Sequence, residues 1–216
     1  MMKILLMLFF ISFLGISGER EIINYMKIHN PKLSDKEAQY IYKNVVFYSN
    51  EYDFDPVLIF SVMKTESHFK HSTVSSAGAK GLMQLMPFNF KEFGVDNSIQ
   101  GNIKGGVMHL KRDYDKTRNV TKTLVCYNAG CGRLQNDNWL KIRETTGYIT
   151  KINDVYPEIK KLYYSNSKNK KKYEIQEFED FDTGENTQVV QKTKEELKRE
   201  KFLKNKIRYE RKELQE

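Results

Sequence analysis

The chain lacks most of the features that would place it quickly. Its 216 residues include only two cysteines, Cys126 and Cys131, too few to supply the ligands of a structural zinc site. Alternation of apolar and polar residues with the two-residue period of a half-buried strand is almost absent, which argues against a sheet protein. No internal repeat is visible. The one long apolar run covers about a dozen residues near the start of MMKILLMLFFISFLGISG, short of the roughly 20 that a membrane-spanning helix needs. One Lys precedes that run, and Gly15, Ser17 and Gly18 follow it, the layout of a secretory leader. No Cys sits near its exit to carry a lipid. Residues 1–18 are therefore expected to be a signal peptide, and the mature protein to act outside the cytoplasm, in the periplasm or beyond.

Charge is plentiful and uneven. The formal net charge is +8. Residues 165–172 carry +4, residues 173–190 carry −6, and residues 191–216 carry +4 from ten bases and six acids, so the part before residue 165 holds +6. A basic exported domain suits an anionic polymer of the envelope. Nucleic acid is excluded as a partner by the leader and by the lack of a basic recognition helix in the core. Residues 165–192 have little to bury and read as a charged linker. Residues 193–216 read as a charged helical tail, because Leu197, Leu203, Ile207 and Leu214 keep no clean heptad. An envelope-complex partner, if there is one, would use this 165–216 segment.

Between these ends the pattern is helical, and an all-α domain is expected over residues 19–164. Ser34 and Glu37 have the spacing of a capping box, and Ala38, Ile41, Tyr42, Val45 and Val46 then share one face. Asp55-Pro56 starts a second helix, with an N-cap acid before a first-turn proline. A third is signalled by Ile103, Val107, Leu110 and Tyr114. A short one is expected across TKTLVCYNAG, capped at Thr121, and a last one over residues 146–164, interrupted near Pro157.

Glu66 stands out on the second helix. Ile59, Val62, Met63 and Glu66 fall at i, i+3, i+4 and i+7, so the carboxyl shares the apolar stripe. An apolar wall and the negative end of the helix dipole both disfavour its ionised form. From the helix alone, a last-turn Glu that simply reaches solvent is the plainer reading. The stretch that follows, SHFKHSTVSSAGAKGLMQLMP, shifts the balance. Gly78 and Gly81 allow positive φ and close approach of a ligand to the backbone. Ser75 and Gln84 offer neutral hydrogen-bonding groups, and Met83 a soft apolar surface for a sugar ring. A protonated acid in such a cradle is what protonation of a glycosidic oxygen requires.

These residues resemble a known family. Glu66-Ser67-x-Phe69, Ser75 nine residues after the Glu, and GAKGLMQLMP are similar to the catalytic signature of soluble lytic transglycosylases, lysozyme-like enzymes that cleave bacterial peptidoglycan. The likeness continues in order through Asn102-Ile103-x-x-Gly106 with Leu110, through Tyr127-Asn128-Ala129-Gly130, and through Glu144-Thr145-x-Gly147-Tyr148. It implies a goose-type lysozyme-like helical fold. Peptidoglycan glycan strands would be the substrate, with Glu66 as the catalytic acid and base. Tyr127, Asn128, Glu144 and Tyr148 would line the sugar groove, and Ala129 and Gly130 would shape its loop. No metal or other cofactor is implied, and a monomer is expected. His68 and His71 lack a third ligand and read as surface histidines.

The chain departs from the family pattern at Cys126, where a small Ala is usual, and at Cys131, where Pro often stands. It departs also at His109, usually Tyr, and at Phe88. A Cys126–Cys131 disulfide stays open: a helical i,i+5 pair is too far apart, so a bridge needs the chain to turn at residues 128–130. Two other functions fit the same scaffold, a true hydrolase that adds water and a non-catalytic wall-binding module. The presence of Glu66, Ser75 and Gln84 together argues against the second.

Overall fold

The computed structural model describes residues 17–165. The expected leader and the 166–216 part of the expected linker and tail lie outside the described residues. Among the described residues seven α-helices follow in order: α1 (Ser17–His29), α2 (Asp35–Glu51), α3 (Pro56–Ser67), α4 (Pro87–Phe93), α5 (Ile99–Thr117), α6 (Val120–Ala129) and α7 (Arg143–Tyr163), with a 3₁₀ segment at Cys131–Lys141. Among the described residues the only β pairings are isolated bridges, Val74 with Lys80 and Lys80 with Leu85, so the fold is all-α. No helix among them is long and apolar enough to cross a membrane.

Helix α3 is the core element. Every residue from Pro56 to Met63 is buried, because neighbours cover the helix on several sides, with α7 and α2 packed against it. Its start is fixed by Asp55, whose Oδ1 accepts from Val57 N at 2.9 Å. Oδ2 of the same carboxyl accepts from Tyr156 Oη at 2.8 Å, which ties α3 to α7 across 101 positions of sequence. Burial pushes the Asp55 pKa up to about 6, against the lowering effect of the Tyr156 and backbone hydrogen bonds. Helix α5 lies against α2 and α6, and α1 against α2 and α7. The capping box at Ser34 and Glu37 is present.

Three local expectations need correction. The cap of α6 is Asn119, whose side chain accepts from Lys122 N at 2.8 Å, two positions before the expected Thr121. Thr121 is instead buried in the first turn. Helix α7 starts three residues earlier than expected and continues through Pro157 to Tyr163. A proline inside a helix forgoes one N–H and crowds the preceding turn; the tertiary contacts of Ile149, Ile152, Tyr156 and Ile159, all buried, outweigh that local cost. Helix α1 had no counterpart among the expected elements. Gly18, placed at the leader's exit by its expected boundary, lies in α1, where a Cβ would come within 2.5 Å of Tyr163 O.

Candidate active site

Glu66 occupies the last turn of α3. The helix ends because His68 and Phe69 take left-handed backbone, with φ of 52° and 61°. Phe69 is driven into the core by its ring, which is fully buried. Ser67 Oγ lies 3.1 Å from Met63 O and 2.9 Å from Leu82 O, which staples the helix end to the loop that follows. Residues 73–85 then fold back on themselves. Ser75 N donates to Ala79 O and Gly81 N to Thr73 O, both at 2.9 Å, and Lys80 and Leu85 exchange both of their backbone bonds. The chain can turn this tightly because Gly78 and Gly81 sit at φ +86° and +84°.

Gly81 has a second reason to lack a side chain. A Cβ there would meet the Asn102 side chain at 2.2 Å. Asn102 is fully buried on α5 and serves as the hub of the loop. Its Oδ1 accepts from Met83 N at 2.8 Å, and its Nδ2 donates to Lys80 O at 2.9 Å and to Asn97 Oδ1 at 3.0 Å. Asn102 appeared in the sequence only as part of a motif. Its role depends on a contact with a glycine 21 positions earlier, which no local pattern shows.

The expected site residues divide. Glu66 is half-buried, and burial has the largest effect and raises its pKa; the Tyr148 hydroxyl lowers it, and the charge of Glu144, the smallest of the three effects, raises it, so the balance stands at about 7. Tyr148 is buried on α7 with its hydroxyl enclosed, and that hydroxyl makes no hydrogen bond of ordinary geometry, although it lies near enough to favour the ionised acid. Glu144 is exposed one turn before Tyr148 on the same helix and acts on Glu66 through its charge. Tyr127 is half-buried on α6, donates to Met83 O at 2.6 Å and feels the Glu66 charge. The structure therefore gathers Glu66, Tyr127, Glu144 and Tyr148 from α3, α6 and α7.

Of these four, Tyr127 also lines a cavity of about 560 Å³, with Gln84, Met86, Phe88, His109 and Asn128 among its other walls. Glu66 is not on its wall; Tyr127 is shared by the cavity and the surroundings of the acid. Ala129 and Gly130 also border this space. The Gln84 Nε2 donates to Gly81 O at 2.8 Å and to Thr73 O at 3.1 Å, so the amide braces the loop as well as facing the cavity. Ser75 Oγ accepts from Ala79 N at 3.0 Å and holds its own turn.

Met83 is a correction. It is fully buried and packs over Gly106, where a Cβ would come within 2.6 Å of its side chain, so it has no surface to offer a sugar. Three residues on, the half-buried Met86 presents a thioether to the cavity instead. The two cysteines are paired in a disulfide. Helix α6 stops at Ala129, and Gly130 at φ +83° turns the chain so that Cys131 returns to Cys126 with 4.1 Å between Cα atoms. The bridge borders the cavity next to Tyr127.

The family model described as the transglycosylase SLT domain matches residues 43–150, which contain α3, the loop, α5, α6 and the start of α7. The chain belongs to the transglycosylase SLT domain family. Among relatives of the SLT chain, the transglycosylase of Enterobacteria phage PRD1 is 37% identical over 106 residues, 48% of this chain and 39% of that protein. The membrane-bound lytic murein transglycosylase C of Haemophilus influenzae strain PittEE is 32% identical over 135 residues, 51% of this chain and 36% of that one. The SLT chain thus spans less than two fifths of the length of either relative. In fold, it is similar to the 70 kDa soluble lytic transglycosylase SLT70 of Escherichia coli, with a TM-score of 0.53 at 19% identity over 68% of this chain and 30% of that one.

Proposed function

We propose that the chain is a peptidoglycan lytic transglycosylase that cleaves the bond from N-acetylmuramic acid to N-acetylglucosamine, with Glu66 as both acid and base. The observation that carries this reading is the placing of Glu66, half-buried in the last turn of a core helix among Tyr127, Tyr148 and Glu144, where burial pushes its pKa up to about 7. Near neutral pH such a carboxyl is poised between its two states, which suits a group that must give a proton and then take one back. Glu66 first protonates the bridging oxygen. The sugar cation that forms is attacked at C1 by its own C6 hydroxyl, and the Glu66 carboxylate removes the hydroxyl proton. The products are a glycan end bearing a free C4 hydroxyl and a 1,6-anhydromuramic acid end, with no water consumed.

Ordinary glycosidases need a second carboxylate to act as nucleophile or to activate water. Here the C6 hydroxyl takes that place. Glu144 acts from the exposed first turn of α7, raising the Glu66 pKa through its charge. Tyr127, Asn128, Gln84 and Met86 border the cavity that reaches the surroundings of the acid through Tyr127, and are proposed to hold the glycan strand, with Tyr148 near the carboxyl. The name of one relative above, a membrane-bound lytic murein transglycosylase, supports the same substrate. Export by the N-terminal leader, action in the envelope as a monomer, and any partner bound by residues 165–216 complete the proposal.

Mass spectrometry of fragments released from purified peptidoglycan tests it. Fragments lighter by one water than hydrolytic ends, and their loss in Glu66→Gln, are expected. Reducing ends with incorporated ¹⁸O water would assign a lysozyme-type hydrolase, and no release would assign a binding module.

A further inference from the structure

Beside Tyr127, along the same cavity, lies a charged cluster to which the proposed reaction gives no role. His109 and Asp113 are one turn apart on α5, with Nε2 of the imidazole 3.2 Å from Oδ2 of the carboxylate. Asp113 is almost wholly buried, and its other oxygen accepts from Arg112 Nε at 3.0 Å. Burial pushes the Asp113 pKa up, but the nearby imidazole of His109 and the hydrogen bond and charge of Arg112 more than offset this and hold it below the usual carboxylate value. On its other side the imidazole packs against the Tyr127 ring, with centroids 4.5 Å apart and planes at 36°. Phe93 of α4 closes the third side at 5.8 Å.

Tyr127 passes this placement on. Its hydroxyl donates to Met83 O at 2.6 Å, and the next residue, Gln84, is held at φ +47°. Left-handed backbone in a residue other than glycine is costly and persists only where surrounding contacts hold it. The Tyr127 bond and the two Gln84 amide bonds supply those contacts. We infer that His109, anchored by Asp113 and packed on Tyr127, is a positioning residue: it fixes the Tyr127 ring and the Met83–Gln84 backbone, and so keeps water from the Glu66 carboxyl.

The inference rests on the reading of Glu66 as the catalytic acid. The groups facing His109 are Asp113 and Arg112 from its own helix and Tyr127 from α6, with Glu92 of α4 reaching it through Arg112. Those facing Glu66 are Tyr127, Tyr148 and Glu144. If the Tyr127 ring loosens, water enters, desolvation of the acid weakens, and its pKa falls toward that of an ordinary carboxyl. The rate then fails at lower pH, because the acid must be protonated to act.

The test is the pH profile of fragment release from peptidoglycan by the full chain at low substrate. His109→Gln keeps a donor for Asp113 but removes the ring; His109→Phe keeps a ring and loses the donor. For Gln the upper limb is expected to move about one pH unit to the acid side, a roughly tenfold further loss of rate at pH 8, while Phe stays within about a third of a unit. A residue that only supports the fold would lower the active fraction without moving the limb. His109→Asn, which also removes the ring and leaves a shorter amide, shifts the limb the same way and serves if the Gln variant does not fold. A Gln or Asn limb that coincides with the wild-type limb, or a Phe limb displaced as far as that of Gln, overturns the inference alone. No cleavage by the wild type would instead sink the transglycosylase reading.

Discussion

Replacing Glu66 by Gln removes a charge that the folded protein holds at a cost. The carboxyl titrates near 4.5 in an unfolded chain and at about 7 in place, so the folded state binds the proton more tightly. Below pH 4.5 both states are protonated and the site costs nothing. As pH rises from 4.5 to 7, the unfolded chain loses its proton first and stability falls, levelling off above 7. The full penalty for a shift of this size is about 3 kcal/mol, an upper bound because the carboxyl is half-buried and water screens part of it. Gln has the same shape and never pays this penalty. Glu66→Gln is therefore expected to match the wild type at pH 4.5 and to exceed it by up to about 3 kcal/mol at pH 8.5, a rise in melting temperature of about 5–10 °C for a domain of this size. Asp55 also titrates in the acid part of this range, but it does so in both proteins and cancels in the difference. Circular-dichroism melts of both proteins at the two pH values are the assay. A difference that does not change with pH, or a wild type more stable than the variant at pH 8.5, would refute the reasoning.

Three further outcomes follow from the same contacts. Tyr156→Phe strips a hydrogen bond from the buried Asp55 and should destabilise by about 1–3 kcal/mol, more at pH 7 than at pH 4, because that bond favours the ionised carboxylate; denaturant titrations at both pH values measure it. Gly81→Ala must overcome both its positive φ and the Asn102 side chain, whereas Gly78→Ala meets only the first, so Gly81→Ala is expected to cost about 2 kcal/mol or more beyond Gly78→Ala in urea midpoints. Tyr148→Phe removes the hydroxyl that lowers the Glu66 pKa, and the upper limb of the pH–rate profile should move to higher pH.

What could be read ahead of the structure was what local spacing encodes. The Ser34–Glu37 box and the Asp55-Pro56 start of α3 depend on residues a few positions apart, and both stand where their patterns put them; the expected stripe of Ile59, Val62 and Met63 is part of a helix buried all round, with Glu66 half-buried at its end. The choice between Met83 and Met86 could not be read this way. Both follow the same glycine, and only the missing Cβ of Gly106 on α5 shows which one sinks into the core. Helix α4 is seven residues long, too short for periodicity to declare itself. The run through Pro157 and the cap at Asn119 were decided by packing and by one side-chain bond, against the stronger local signals of Pro157 and Thr121. In the His109–Asp113–Tyr127 cluster the first two are one turn apart on α5, but nothing in either segment links that pair to Tyr127 on α6.

The central claim is that Glu66 holds its proton up to near neutral pH, and a carboxyl carbon reports this directly. In protein labelled with ¹³C at the glutamate side-chain carboxyl, the signal missing from Glu66→Gln identifies the residue, and its shift can be followed with pH. A midpoint near 7 is the expected result. A midpoint near 4.5, that of a carboxyl open to water, would contradict the account.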